Sequence, residues 1–83
     1  MPLSSLSTAS KKTVGTKQTL KALEKGLAKT VFVALDAEQH VIRPLIQICQ
    51  AKNIQVVQVD FMKDLGKACG IEVGCAAAAV VEC

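Results

Sequence analysis

Along this chain the spacing of apolar residues changes several times, and each change predicts an element. Thr13 and Val14 run into Gly15 as a short strand would. Beyond the glycine, Leu20, Leu23 and Leu27 recur at helical spacing and Gly26 supplies a stop, which predicts a helix from Thr16 to Lys25. Thr16 is the expected N-cap, and because position 19 is another threonine the reciprocal capping box is absent. Thr30 to Leu35 is a continuous, partly β-branched apolar run, the pattern of a strand buried on both faces, and Asp36 ends it. Val41, Leu45, Ile48 and Cys49 then share one face of an amphipathic helix that ends near Asn53. Pro44 has no N–H to donate, so that helix cannot begin much before His40.

Ile54 to Val59 reads as a second short strand. Asp60 is the expected cap of a short helix carrying Met62, Leu65 and Cys69 near one face, with Gly70 at its end. The tail from Cys75 to Val81 is ambiguous, because its alanines favour helix and its valines favour strand. It is read as a central strand, where small side chains let helices approach both faces of a sheet. Together these elements make an α/β sandwich with a mixed, about four-stranded sheet between helices. Residues 1–12, rich in Ser, Thr and Lys, form a frayed lead-in, and residues 13–83 form a single domain.

Composition adds that the domain is packed: 51% of its 83 residues are hydrophobic and 20% charged. Only Phe32 and Phe61 are aromatic, so the core is aliphatic. The first residues lack the charged flank and apolar run of a signal peptide, and no apolar stretch reaches the roughly 18 residues that span a bilayer. A cytoplasmic protein without membrane association is expected. Cys49, Cys69, Cys75 and Cys83 are irregularly spaced in apolar surroundings, which favours buried free thiols over a disulfide framework.

Charge changes the picture more. Residues 1 to 29 hold six lysines against one acid, a net of +5, whereas residues 30 to 83 hold four bases against six acids, a net of −2. That asymmetry suits a polyanion-binding face, and a merely solvated helix face is the plainer alternative. A helix opening after a glycine turn offers free N–H groups and a positive dipole end, so the Gly15-Thr16 junction suits phosphate. Lys17 and Lys21 share a helix face with Gln18 beside them. Lysine can approach guanine O6 and N7, and the glutamine amide offers one acceptor and two donors to a base edge. The glycine spacings of nucleotide-binding loops are absent.

A second constellation lies where Gly70 and Gly74 bracket Ile71, Glu72 and Val73, placing apolar side chains in a loop between a helix and the last strand. Such side chains either pack against an unstacked base or fold back onto the core. Lys63 and Lys67, four apart, flank that loop with positive charge.

At these two places the sequence resembles the kink-turn-binding ribosomal protein family called L-seven-Ae in archaea. The resemblance rests on Gly15-Thr16-Lys17-Gln18-Thr19-Leu20-Lys21 and on Leu65 to Gly74, and runs from about Val14 to Val81. It is closest to short bacterial members. The resemblance implies a three-layer α/β/α fold that binds a kink-turn, an RNA helix bent sharply at a bulge beside sheared G·A pairs. Double-helical RNA has a major groove too narrow for side chains to read, and the kink opens it. By this resemblance Lys17, Gln18 and Lys21 face the G·A pairs and nearby phosphates, while Ile71, Glu72 and Val73 cover the bulged nucleotides. The implied partner is a structured RNA, ribosomal or riboswitch, bound by a monomer. Archaeal and eukaryotic members usually carry Asn-Glu where this chain has Lys17-Gln18, which replaces a charged acceptor by a neutral one.

Other chemistry finds little support. His40, the only histidine, reads as a solvated or capping residue, and without a C-x-x-C pair no metal or cofactor is expected. Cys69 near a helix C-terminus lacks a source of thiolate activation, and Asp36 with Glu38 has no legible third partner for acid–base work. Enzymatic activity is therefore not expected. A protein-interaction or ribosome-assembly scaffold, docking through Ile71-Glu72-Val73, is the alternative to RNA binding. The two differ in salt dependence: about four lysines on phosphates give a log-log slope of roughly −3 to −4, and an apolar protein contact gives far less.

Overall fold

The computed structural model describes residues 12–81, so the lead-in up to residue 11 and Cys83 lie outside the described residues. Seven elements follow one another: β1 (Lys12–Val14), α1 (Thr16–Glu24), β2 (Ala28–Ala34), α2 (Gln39–Lys52), β3 (Gln55–Val59), α3 (Met62–Cys69) and β4 (Ala77–Val81). The strands form one mixed sheet in the order β1-β4-β2-β3, antiparallel at both edges of β4 and parallel between β2 and β3. Helices α1 and α2 pack on each other on one face and α3 lies on β2, β3 and β4, giving the expected three-layer sandwich.

The alanine-rich tail is a central strand, and Ala77, Ala78 and Ala79 have no exposed surface. In a three-layer sandwich a central strand is covered on both faces, and methyl side chains let helices pack close. Beside it Val31, Phe32, Val33 and Ala34 are equally buried, the double-sided burial that the apolar run predicted. Leu35 falls outside the strand and is 42% exposed, and Leu27 lies beyond α1 at 47% exposure, so neither joins the core as the spacing suggested.

The three helices among the described residues end in the same way. The amide of Leu27 donates to the Ala22 carbonyl, that of Ile54 to Cys49 and that of Ile71 to Gly66, each spanning six residues. The preceding residue, Gly26, Asn53 or Gly70, takes a left-handed φ of 72°, 58° or 81°. This is the Schellman ending, which satisfies the last carbonyls and turns the chain back.

The helix starts depart from expectation. Thr16 is the first helical residue and does not cap α1; Gly15 stands at the N-cap with φ 94°, and no side chain caps the helix. Asp60 does not cap α3 either. Phe61 holds that N-cap position, and the amide of Met62 donates instead to Asp36 Oδ1 at 2.8 Å, from 26 residues away. Pro44 sits in the second turn of α2, which begins at Gln39, one residue earlier than expected.

Candidate nucleic-acid interface

The parallel strands β2 and β3 deliver the loops that follow them to one end of the sheet, and β4, running the other way, begins there. At that end Gly15 N donates to Ala77 O at 2.9 Å, while Ala34 N donates to Ala76 O at 2.9 Å. The opening of α1 and the loop that precedes β4 are thus neighbours, although 55 residues separate Gly15 from Gly70.

Gly15 turns the chain from β1 into α1 within one residue. Its carbonyl accepts the first intrahelical bond, from Thr19 N at 3.1 Å, so the amides of Thr16, Lys17 and Gln18 precede that bond. No acidic side chain lies in this first turn. Thr19, Ala22 and Leu23 are buried, which leaves Lys17, Gln18 and Lys21 exposed on the outer face, with Thr16 half-buried. The Thr19 hydroxyl, although wholly buried, is satisfied by Thr13 Oγ1 at 3.0 Å across the β1–α1 turn. That bond ties the helix opening to the strand before it. Thr19 was missed as a positioning residue; its polar side chain on the apolar face of the helix was the available signal.

The loop between α3 and β4 is folded onto α3. A Cβ on Gly66 would overlap the Val73 carbonyl, and one on Gly74 would lie 3.1 Å from Met62 Cβ. Cys75 N donates to Met62 O at 3.0 Å, closing the other end. Within this frame Ile71, held by the Schellman bond to Gly66, is half-buried and packs on the core, whereas Glu72 is exposed and Val73 is 71% exposed. The choice between folding back and facing outward is therefore divided: Ile71 does the first and Val73 the second. Lys63, the second residue of α3, has its amide beside Gly74, and Lys67, exposed in the last turn, stands at the foot of the loop.

Among the described residues no group of three or more His, Cys, Asp or Glu side chains could hold a metal ion. His40 is exposed at the start of α2 with Nε2 3.1 Å from Glu38 Oε2. Asp36, considered above as an acid–base partner, instead serves the start of α3. Cys49, Cys69 and Cys75 are buried free thiols. Burial pushes the Cys49 thiol up, and burial with the Cys75 thiol alongside pushes Cys69 up to about 11, against a smaller opposing pull from Lys12. Cys75 Sγ donates to Ala77 O at 2.8 Å. All three side chains are packed in the interior of the fold. No helix among the described residues is long and apolar enough to cross a membrane.

The sequence profile of the Ribosomal protein L7Ae/L30e/S12e/Gadd45 family matches residues 3–83. The chain belongs to this family. Among L7Ae-family relatives, it is 48% identical over 71 residues to "RNA-binding protein TTE2299" of Caldanaerobacter subterraneus, covering 86% of this chain and 87% of that protein. It is 45% identical over 80 residues to "RNA-binding protein BH0128" of Halalkalibacterium halodurans, covering 96% and 98%. It is also 47% identical over 68 residues to the large ribosomal subunit protein eL8 of Halobacterium salinarum, covering 81% of this chain and 57% of that longer protein. The fold matches that of the Giardia lamblia 15.5kD RNA binding protein with a TM-score of 0.86 at 23% identity, over 98% of this chain and 68% of that one.

Proposed function

We propose that this L7Ae-family chain is an RNA-binding protein that recognises kink-turn RNA as a monomer. The adjacency of the α1 opening to the α3–β4 loop, through the Gly15–Ala77 hydrogen bond, carries this reading. A bent RNA presents its opened groove and its extruded nucleotides side by side, and a two-part surface suits both. Lys17, Gln18 and Lys21 meet the G·A edges and adjoining phosphates, with the Thr16 amide at the positive end of the helix and Gly15 shaping the turn that presents it. Ile71, Glu72 and Val73 cover the bulged nucleotides, while Lys63 and Lys67 meet phosphates. The relatives named as RNA-binding proteins and the ribosomal relative support an RNA partner, such as ribosomal RNA or a riboswitch.

Calorimetric titration of a kink-turn RNA and of a matched duplex without the bulge tests the proposal. The bulged RNA should bind more tightly, with a log-log salt slope of roughly −3 to −4. Lys21→Ala should weaken binding and reduce that slope by about 1. Because Ile71 also packs on the core, Val73→Ser is the cleaner loop variant, and it should erode the preference for the bulged RNA. Equal affinity for both RNAs would sink kink-turn recognition, and no measurable binding of either RNA would point to a protein-docking scaffold.

A further inference from the structure

Phe61 is 57% exposed, whereas the only other aromatic side chain, Phe32, is wholly buried. It occupies the N-cap position of α3, where Ser, Thr, Asp or Asn normally supplies a side-chain oxygen. Asp36, from another loop, instead accepts from the amide of Met62, the first helical residue, so this helix start is held without a capping side chain at position 61. Its backbone is nonetheless held on both sides: Phe61 O accepts from Leu65 N at 3.2 Å, and the next amide is fixed on Asp36. The ring therefore stands on a defined base at the end of the sheet that carries the α3–β4 loop, since Cys75 N bonds to Met62 O.

We propose that Phe61 is a stacking platform for one unpaired base of the bound RNA, a contact additional to the α1 opening and the loop at Ile71 to Val73. This inference rests on the RNA-binding reading above. An aromatic face accepts any base, and one ring is sufficient to hold it. A protein partner needs far more, on the order of 800 Å² from each side. Among the described residues the exposed large apolar side chains are Leu27, Leu35, Phe61 and Val73, too few for such an interface. Charge selects among the parts of a nucleotide. Asp60 and Asp64 flank Phe61 in the sequence and disfavour a phosphate over the ring, while their oxygens can accept the N–H groups of a base edge. Lys63, two residues on, offers a charge for the phosphate that follows.

The chain contains no Trp or Tyr, so Phe61→Trp introduces a sole indole fluorophore at this site. Phe61→Trp should bind the kink-turn RNA within about twofold of the unaltered chain, and its emission should be quenched on binding. Phe61→Leu should lose about tenfold in affinity, within the range that alanine substitution gives for one base–aromatic stack. Making each unpaired nucleotide abasic in turn should identify one position at which Phe61→Leu costs nothing further. Circular dichroism and thermal melting verify that both variants fold. An intact preference for bulged RNA with Phe61→Leu unchanged overturns this inference alone, as does a loss in Phe61→Leu that is the same on every abasic RNA. A chain that binds bulged and unbulged RNA alike overturns the inference together with the function on which it rests. Self-association that Phe61→Leu abolishes, seen by sedimentation without RNA, would assign the ring to a copy of the chain and overturn it too.

Discussion

Gly66 sits inside α3, where local propensity and tertiary fit give opposite answers. In an exposed helix an alanine there would stabilise by up to about 1 kcal/mol. Here the added methyl would overlap the Val73 carbonyl, and relieving backbone overlap costs roughly 1–3 kcal/mol. Gly66→Ala should therefore lower the urea midpoint of unfolding, and a raised midpoint would show that the loop is not seated on α3. The same contact ties sequence to site, because the absent side chain at position 66 allows Val73 to be presented at a fixed height. The glycine was visible in the sequence as part of the Leu65–Gly74 motif, but the atom it makes room for was not. Ile71 and Val73, two apart in one apolar loop, likewise look equivalent until the bond from Ile71 N to Gly66 O separates them.

At the scale of elements, the order of strands and helices follows from periodicity because burial imposes it along whole segments. Helix ends on the C-terminal side were also legible, since left-handed backbone favours glycine and asparagine and the chain has Gly26, Asn53 and Gly70 there. The N-terminal ends were not. A capping oxygen can come from any loop that reaches the helix start, so the local Asp60 looked sufficient while Asp36, 26 residues before Met62, does the work. Asp36→Ala should cost about 1 kcal/mol of stability by losing this bond. Asp36→Asn, which keeps an amide oxygen, should lose less. Chemical denaturation checks both, and an unchanged Asp36→Ala midpoint would show that the bond to Met62 contributes nothing. This bond also joins the β2–α2 loop to the start of α3, linking two of the segments that frame the proposed RNA surface.

For the molecule as a whole, the buried thiols tie stability to alkaline pH. Cys69 is raised from 9.0 to about 11 in the folded chain, so it keeps its proton where the unfolded chain would lose one. Its contribution is fully present below pH 9.0 and is lost as pH rises through about 11, because in that window the unfolded state binds fewer protons. Lysines titrate in the same range, so the comparison must be made with Cys69→Ala. Between pH 8 and 10.5 the unaltered chain should lose stability more steeply than that variant. Parallel urea midpoints across that range would show that the fold does not hold the Cys69 proton.

The α/β class, the order of elements, the aliphatic core and the basic character of the first third of the chain are all legible in the order of residues. These are properties of segments, and hydrophobic spacing and charge counts report them directly. The sequence also singled out the Gly15–Lys21 opening and the Leu65–Gly74 loop as separate motifs. Only the tertiary structure decided that the two are neighbours, through the antiparallel pairing of β1 with β4 and the Gly15–Ala77 bond. It likewise decided that Val73 rather than Ile71 faces outward and that Asp36 holds the start of α3 without a capping side chain at position 61. Each depends on contacts between residues far apart in the chain, and strand pairing and packing select those contacts only once the whole sheet has formed.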